Sequence, residues 1–335
     1  MKREAMFWNS LDGSKVQCNL CPHHCKIEDQ KTGICGVRKN ENGTLNSLIY
    51  GLCSSMAADP VEKKPLYHFH PGSNAFSIGT VGCNFSCLHC QNYSISTAGP
   101  DFSYMREITS KDVVNLSKQY GCDGVAYTYN EPSIWYEFTL DSAKLAKENG
   151  LYTAYVTNGY ISAEPLREIS SVLDAMNIDV KAFSDDFYRK VCKARLQPVL
   201  DTCILAKDLG IHLELTYLVI PAYNDSDKEI KSFCKWAVEK LGANVPVHFS
   251  RFHPDHNMQD VPRTPMETMM KVYDIAKESG VLYPYLGNVS HGDYENTSCP
   301  KCGSLCVERK GYSVSLNGMD NNKCKKCGNT ISLVF

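Results

Sequence analysis

Between residues 75 and 290 the chain repeats one unit, a short apolar run and then an amphipathic helical stretch, mostly at intervals of 25–35 residues. The runs at 75–82, 124–129, 152–157, 175–181, 212–220, 245–252 and 281–286 are short enough for buried strands. Between them, Val113, Val114, Leu116 and Tyr120 share one helical face, and Thr264-Pro265-Met266-Glu267 reads as a capping box with proline at the first helical position. Gly150, Gly210 and Gly280 each stand just past a helix and before a strand, where a left-handed residue ends the helix. Strand, helix, strand in this rhythm implies parallel pairing through right-handed crossovers. The expected fold class is α/β. Six or seven units are too few for an eightfold barrel, so a partial (β/α)6-type TIM barrel is expected over a doubly wound sheet. Either fold gathers its chemistry at the C-terminal ends of the strands.

Charge and hydropathy narrow the partners. Thirty-five basic and 37 acidic residues give a net charge of −2, which disfavours a protein built to coat nucleic acid. No apolar run reaches the ~18 residues of a spanning helix, and the first residues carry no apolar signal-peptide core. A cytoplasmic protein without a membrane partner is expected.

Cysteine is over-used, with 17 residues, and twelve of them fall in three clusters at 18–35, 83–90 and 299–327. Without a secretion signal, such clusters point to metal or redox chemistry rather than disulfides. The isolated Cys53, Cys122, Cys192, Cys203 and Cys234 are expected to pack as small hydrophobes. The clusters divide the chain into a Cys-rich segment 1–74, the α/β core 75–290 and a module 291–335.

The central cluster, Gly82-Cys83-Asn84-Phe85-Ser86-Cys87-Leu88-His89-Cys90, follows the first core strand directly. The spacing C-x3-C-x2-C lets one loop wrap three corners of a metal–sulfur cube and leave one iron free. A zinc site completed by His89 or a distant residue is the alternative. At the C-terminus, Cys299-x2-Cys302-Gly303 and Cys324-x2-Cys327-Gly328 form twin knuckles, which read as a zinc-ribbon or rubredoxin-like module, zinc being expected over iron. Cys306 has no assigned role. At the N-terminus, Cys18, Cys21, Cys25 and Cys35 have the number of thiolates that closes a zinc site or holds an auxiliary cluster.

The central motif after the first strand of a partial barrel resembles the radical S-adenosylmethionine (SAM) superfamily. Further runs narrow the resemblance to relatives of pyruvate formate-lyase activating enzyme and, among them, to the AmmeMemoRadiSam system radical SAM family. They are 50–73, "GTVGCNFSCLHCQNYSIS" (79–96), "YTYNEPSIWYE" (127–137), "YVTNGY" (155–160), "NIDVKAF" (177–183), "LVIPAYND" (218–225) and "YLGNV" (285–289). The resemblance implies a [4Fe-4S] cluster on Cys83, Cys87 and Cys90 whose free iron chelates SAM. It further implies reductive cleavage of SAM to a 5′-deoxyadenosyl radical that abstracts hydrogen from a substrate. In its terms Asn130 and Glu131 stand where the SAM amine is held, Thr157 and Asn158 lie near SAM, and Asp179 with Lys181 resembles a pair contacting the SAM carboxylate and ribose. His248, with Arg251 and His253, is a further candidate contact. His89 stands where the superfamily usually has an aromatic carbocycle, and Ala222 where the family often has glycine.

The implied partners are a reductase such as flavodoxin or ferredoxin, a protein or small-molecule substrate, and the Memo and AMMECR-type proteins that name the system. Two other classes compete. An RNA-modifying radical enzyme would use the lysines of the C-terminal module, and a non-enzymatic iron–sulfur or zinc electron carrier would need only the thiolates.

Overall fold

The structure, a computed structural model, describes residues 2–289 and 293–335. The boundary expected at 290/291 lies outside the described residues. An eight-stranded sheet forms the centre. Its strands are β1 (Ser55–Pro60), β2 (Asn74–Gly79), β3 (Gly124–Tyr127), β4 (Tyr152–Thr157), β5 (Ala175–Asp179), β6 (His212–Val219), β7 (Val247–Arg251) and β8 (Pro284–Gly287). The longer helices are α1 (Ser110–Gln119), α2 (Tyr136–Glu148), α3 (Ala163–Ile169), α4 (Leu196–Asp208), α5 (Asp227–Leu241) and α6 (Met266–Glu278).

Sheet order follows chain order from β1 to β8 without reversal. β1 runs antiparallel to β2, and every later neighbour is parallel. A doubly wound sheet needs a reversal of order, and this sheet has none. Right-handed crossovers wound in one direction put their helices on one face.

The alternation of side chains along the strands matches that division. Phe76, Val125, Tyr127, Tyr155, Met176, Ile178, Leu215 and Phe249 join the large core shared with the helices. On the other face Ala126, Ala154 and Ala175 stand in register, with Val61, Leu66 and Phe69 of the preceding segment packed with them. The same face carries buried polar side chains further along, among them Asn177, Glu214, Thr216 and His248.

Glu214 shows how a charge survives there. It accepts from the backbone N–H of Tyr67 (3.0 Å) and His68 (2.7 Å) and from Nε2 of His212 (3.0 Å) and His248 (2.6 Å). Burial alone would raise its carboxyl, but the histidine partners outweigh that and hold it well below the usual range. Beside it His68 reaches Tyr285 Oη (2.7 Å) and the carbonyl of Ser332 (3.1 Å).

Ser332 belongs to the C-terminal part, where antiparallel strands Thr297–Ser298, Leu305–Lys310 and Ser313–Ser315 meet a short hairpin. From it Arg309 enters the core, donating to the carbonyl of Tyr67 (2.7 Å) and to Thr297 Oγ1 (2.9 Å) with its guanidinium over the Tyr67 ring.

Local expectations fare unevenly. Gly150, Gly210 and Gly280 do take left-handed φ of 75°, 80° and 93°. The capping box at Thr264 is absent: Thr264 Oγ1 donates to the carbonyl of Val219 (2.6 Å) and receives the N–H of Phe252 (3.2 Å), so it staples two segments instead of capping α6. The capping box that does form joins Thr109 and Asp112 at the start of α1. Tyr120 caps the end of the helix and is exposed, though its ring still stacks on that of Phe76 at 6.1 Å between centroids. No helix among the described residues is long and apolar enough to cross a membrane.

Candidate active site

The loop after β2 turns at Gly82, whose φ is +84° and whose Cα faces backbone: a Cβ there would stand 2.7 Å from the carbonyl oxygen of Cys35. Only glycine fits that approach. From this turn the chain carries Cys83, Cys87 and Cys90 into one cleft of about 490 Å³, within the usual size for a small-molecule site. The loop is fixed from below, where the N–H groups of Ser86 and Leu88 donate to the carbonyls of Cys192 (3.1 Å) and Val191 (3.0 Å).

Hydrogen bonds also converge on the sulfurs. The N–H of Phe85 reaches Cys83 Sγ (3.3 Å), Asn158 Nδ2 lies 3.8 Å from the same sulfur, and Ser96 Oγ is 3.2 Å from that of Cys90. Burial pushes the Cys83 thiol well up; for Cys87 the neighbouring Cys192 thiol does so first and burial second. Neutral thiols are therefore favoured in a bare pocket, and a bound cation reverses that preference by supplying the missing charge.

The residues expected around SAM arrive from successive strand ends. After β3, Tyr129 takes a left-handed φ of 74° and delivers Asn130 and Glu131 to the cleft. Asn130 locks the loops together, accepting from the N–H of Thr80 (3.1 Å) and donating to the carbonyl of Gly82 (2.8 Å). Glu131 is buried. Its Oε1 accepts from Thr157 Oγ1 (2.7 Å) and the N–H of Ser133 (3.0 Å), and its Oε2 from the N–H of Asn158 (2.8 Å). Burial raises its carboxyl while those donors oppose the rise. A carboxylate offers about four acceptor positions, so roughly one remains.

Asp179 and Lys181 pair at 2.5 Å and both line the cleft. Burial opposes the Lys181 charge, and Asp179, together with the sulfurs of Cys87 and Cys192, more than restores it. His248 is not brought to this group. It lies on the same face nearer the Glu214 cluster, where its Nε2 is taken. Arg251 and His253 are likewise absent from the cleft wall; Arg251 Nε donates to the carbonyl of Thr264 (2.6 Å) and His253 Nδ1 lies 2.8 Å from that of Pro254.

The structure adds residues that sequence reading missed. Asp59 on β1 receives Lys63 (2.8 Å), Lys64 (2.7 Å) and Tyr129 Oη (2.8 Å), and both lysines line the cleft with Tyr312 of the C-terminal part. Burial alone would raise the Asp59 carboxyl; the two lysines and Tyr129 bring it below the usual range. The signal available was the pair Lys63-Lys64 beside Asp59, which reads as a solvated face until the fold buries Lys64. His89 lines the cleft as well. It is 4% exposed, and neither ring nitrogen has a partner.

The flanking cysteines form two further groups. Cys299, Cys302, Cys324 and Cys327 bring all four sulfurs within 4.8 Å of one another and could hold a metal ion. Gly303 and Gly328 take φ of 70° and 71° in the knuckle turns, and their N–H groups donate to the carbonyls of Cys299 (2.9 Å) and Cys324 (2.8 Å). Cys306 is buried beside this group, in the same apolar cluster. Cys18, Cys21, Cys25 and Cys35 line a single small cavity at the other end of the chain.

Comparison with known proteins agrees with this geometry. Residues 77–234 match the family model of the radical SAM superfamily. An uncharacterized protein of Methanocaldococcus jannaschii is 47% identical over 99% of this chain and 100% of its own length. A pyruvate formate-lyase-activating enzyme of Clostridium pasteurianum is 24% identical over 59% of this chain and 87% of its own. Among solved structures, a radical SAM methyltransferase from Sphaerobacter thermophilus superimposes with a TM-score of 0.50 at 15% identity, covering 71% of each chain, a likeness of fold alone.

Proposed function

We propose, on the premise that this chain carries a radical SAM domain, that Cys83, Cys87 and Cys90 hold a [4Fe-4S] cluster and that the cleft before them binds SAM. The observation that carries the reading is that these thiols share one cleft with Glu131, Asp179 and Lys181. The residues fit such a group: three sulfurs that do not all lie within 4.8 Å of one another suit separate irons better than one ion. When bound, the cluster supplies one electron that splits a carbon–sulfur bond of SAM and leaves a 5′-deoxyadenosyl radical able to abstract hydrogen.

The chain's own residues bind and orient. Glu131 keeps about one acceptor position for the SAM ammonium, a charge-assisted bond. Asp179 and Lys181 offer a matched acceptor and donor for the ribose and carboxylate. Asn158 steadies Cys83 from the side. The activating-enzyme relatives favour hydrogen abstraction from a carbon of a protein or small-molecule substrate, admitted past Lys63, Lys64 and Tyr312.

The same reading takes the one-directional sheet as a partial barrel and the four C-terminal sulfurs as a zinc-ribbon module. The Cys299–Cys327 and Cys302–Cys324 sulfur separations of 3.6 and 3.7 Å support it. Zinc–sulfur bonds of about 2.3 Å around a tetrahedron give edges of about 3.8 Å.

The test is electron paramagnetic resonance of the reduced, anaerobic protein. SAM should change the signal of the wild-type cluster, and Cys87→Ala should abolish that response. A signal indifferent to SAM in the wild type would refute the reading.

A further inference from the structure

The four N-terminal cysteines lie outside the cleft proposed to bind SAM. Cys18 ends the strand Val16–Cys18, Cys21 and Cys25 lie in the turn that leads to the strand Lys26–Ile27, and Cys35 arrives from the next turn. All four line one cavity, together with Arg38.

Two features separate this site from the C-terminal one. Among the described residues only the C-terminal sulfurs draw together within 4.8 Å; no three of Cys18, Cys21, Cys25 and Cys35 do. A tetrahedron around one zinc ion requires edges of about 3.8 Å, whereas thiolates on different irons of a cube stand apart by the width of the cube. The N-terminal and the central cysteines alike fall outside that close spacing, which the C-terminal group meets.

Arg38 is the second feature. It is 1% exposed, its Nη1 lies 3.9 Å from Cys18 Sγ, its Nη2 pairs with Glu137, and its Nε is buried without a partner. Glu137 is the counter-ion of this guanidinium, so what Arg38 offers the site is a buried N–H beside Cys18, a donor suited to a ligating thiolate.

The site also touches the central loop. The carbonyl of Cys35 packs against Gly82, next to Cys83. His23 Nε2 donates to the carbonyl of Asn84 (2.7 Å), and Asn84 itself lines the N-terminal cavity. Asn84 Oδ1 in turn receives Asn158 Nδ2 (2.8 Å), the group that faces Cys83 Sγ. The two cysteine loops are thus in van der Waals contact, while Ile34, beside Cys35, is 60% exposed.

We infer that Cys18, Cys21, Cys25 and Cys35 hold a second iron–sulfur cluster, placed to pass electrons from a docked donor to the central one. The relay part rests on the SAM-cleaving reading above. The donor is a low-potential flavin or iron–sulfur protein that loses one electron. The N-terminal cluster is reduced by that electron and reoxidised as the central cluster takes it up. No bond is made or broken, and no proton moves.

Two experiments on the full chain test this. The variant carrying Cys83→Ala, Cys87→Ala and Cys90→Ala together, prepared anaerobically, should keep about four iron and four sulfide per chain. It should also give a reduced-cluster signal that SAM does not alter. Absence of iron, with zinc at about two per chain, would overturn the cluster. This result is independent of SAM cleavage, so failure of that reading would be seen separately, as a wild-type signal that SAM leaves unchanged. For the relay, wild-type protein is mixed with reduced flavodoxin and freeze-quenched. The SAM-insensitive signal should appear before the SAM-responsive one. The reverse order, or simultaneous appearance, would overturn the relay.

Discussion

Replacing Glu131 by glutamine tests whether one buried carboxylate holds the strand ends together. The amide can keep its oxygen at the Oε1 position, where it accepts from Thr157 Oγ1 and the N–H of Ser133. Its NH2 must then face the N–H of Asn158, where Oε2 was an acceptor. One hydrogen bond to a charged group is lost, at roughly 1.5–3 kcal/mol, and a buried N–H is left without an acceptor. Part of this is returned, because burial already disfavours the Glu131 charge. The net expectation is a loss of about 2 kcal/mol in stability, read as a lower urea midpoint of the anaerobic protein.

The change should also reach the cleft. Asn158 Nδ2 holds Asn84 and faces Cys83, so its displacement should weaken SAM binding about tenfold, which is ~1.4 kcal/mol. An unchanged midpoint together with unchanged SAM affinity would refute the clamp.

Three further outcomes follow from particular residues. Ala222 is exposed and holds a left-handed φ of 64°, so Ala222→Gly should stabilise by about 0.5–1 kcal/mol, strain relief exceeding the added chain entropy, and raise the thermal midpoint. His68, facing Glu214, Arg309, His212, Tyr283 and Tyr285, is pushed down to about 3 by burial. Between that value and its ordinary 6.5 the unfolded chain binds a proton that the native chain refuses. Stability should therefore fall with pH, by about 1.4 kcal/mol per unit below 6.5, and His68→Gln should flatten the slope between pH 6.5 and 5 in denaturant titrations. If the four C-terminal sulfurs hold a structural metal as proposed, a chelator, or Cys302→Ala, should unfold the knuckles, withdraw Arg309 from Tyr67 and expose the segment from residue 297 to limited proteolysis; unchanged resistance would contradict a structural metal.

Much of this was legible from local pattern. Strand runs, helix-ending glycines and the position of the central cysteines depend on neighbours in sequence, and those parts stand as expected. The misreadings arose where a residue answers to distant partners. Thr264 has the sequence of a helix cap, but Val219 and Phe252 claim its hydroxyl. His248 has the right strand and face for the cleft, but Glu214 on the adjacent strand engages its imidazole. The set of Asp59, Lys64 and Tyr129 is assembled from β1, the segment after it and the end of β3, so no window of sequence contains it. Ala222 takes the turn that glycine would favour, with Asp225 Oδ1 accepting from its N–H at 2.9 Å.

The central claim is most directly tested by anaerobic incubation with SAM and dithionite, following methionine and 5′-deoxyadenosine together. Wild-type protein should release the two in equal amounts, and Cys87→Ala should release neither. A chain carrying its full iron that releases neither product, or release that persists in Cys87→Ala, would contradict the account.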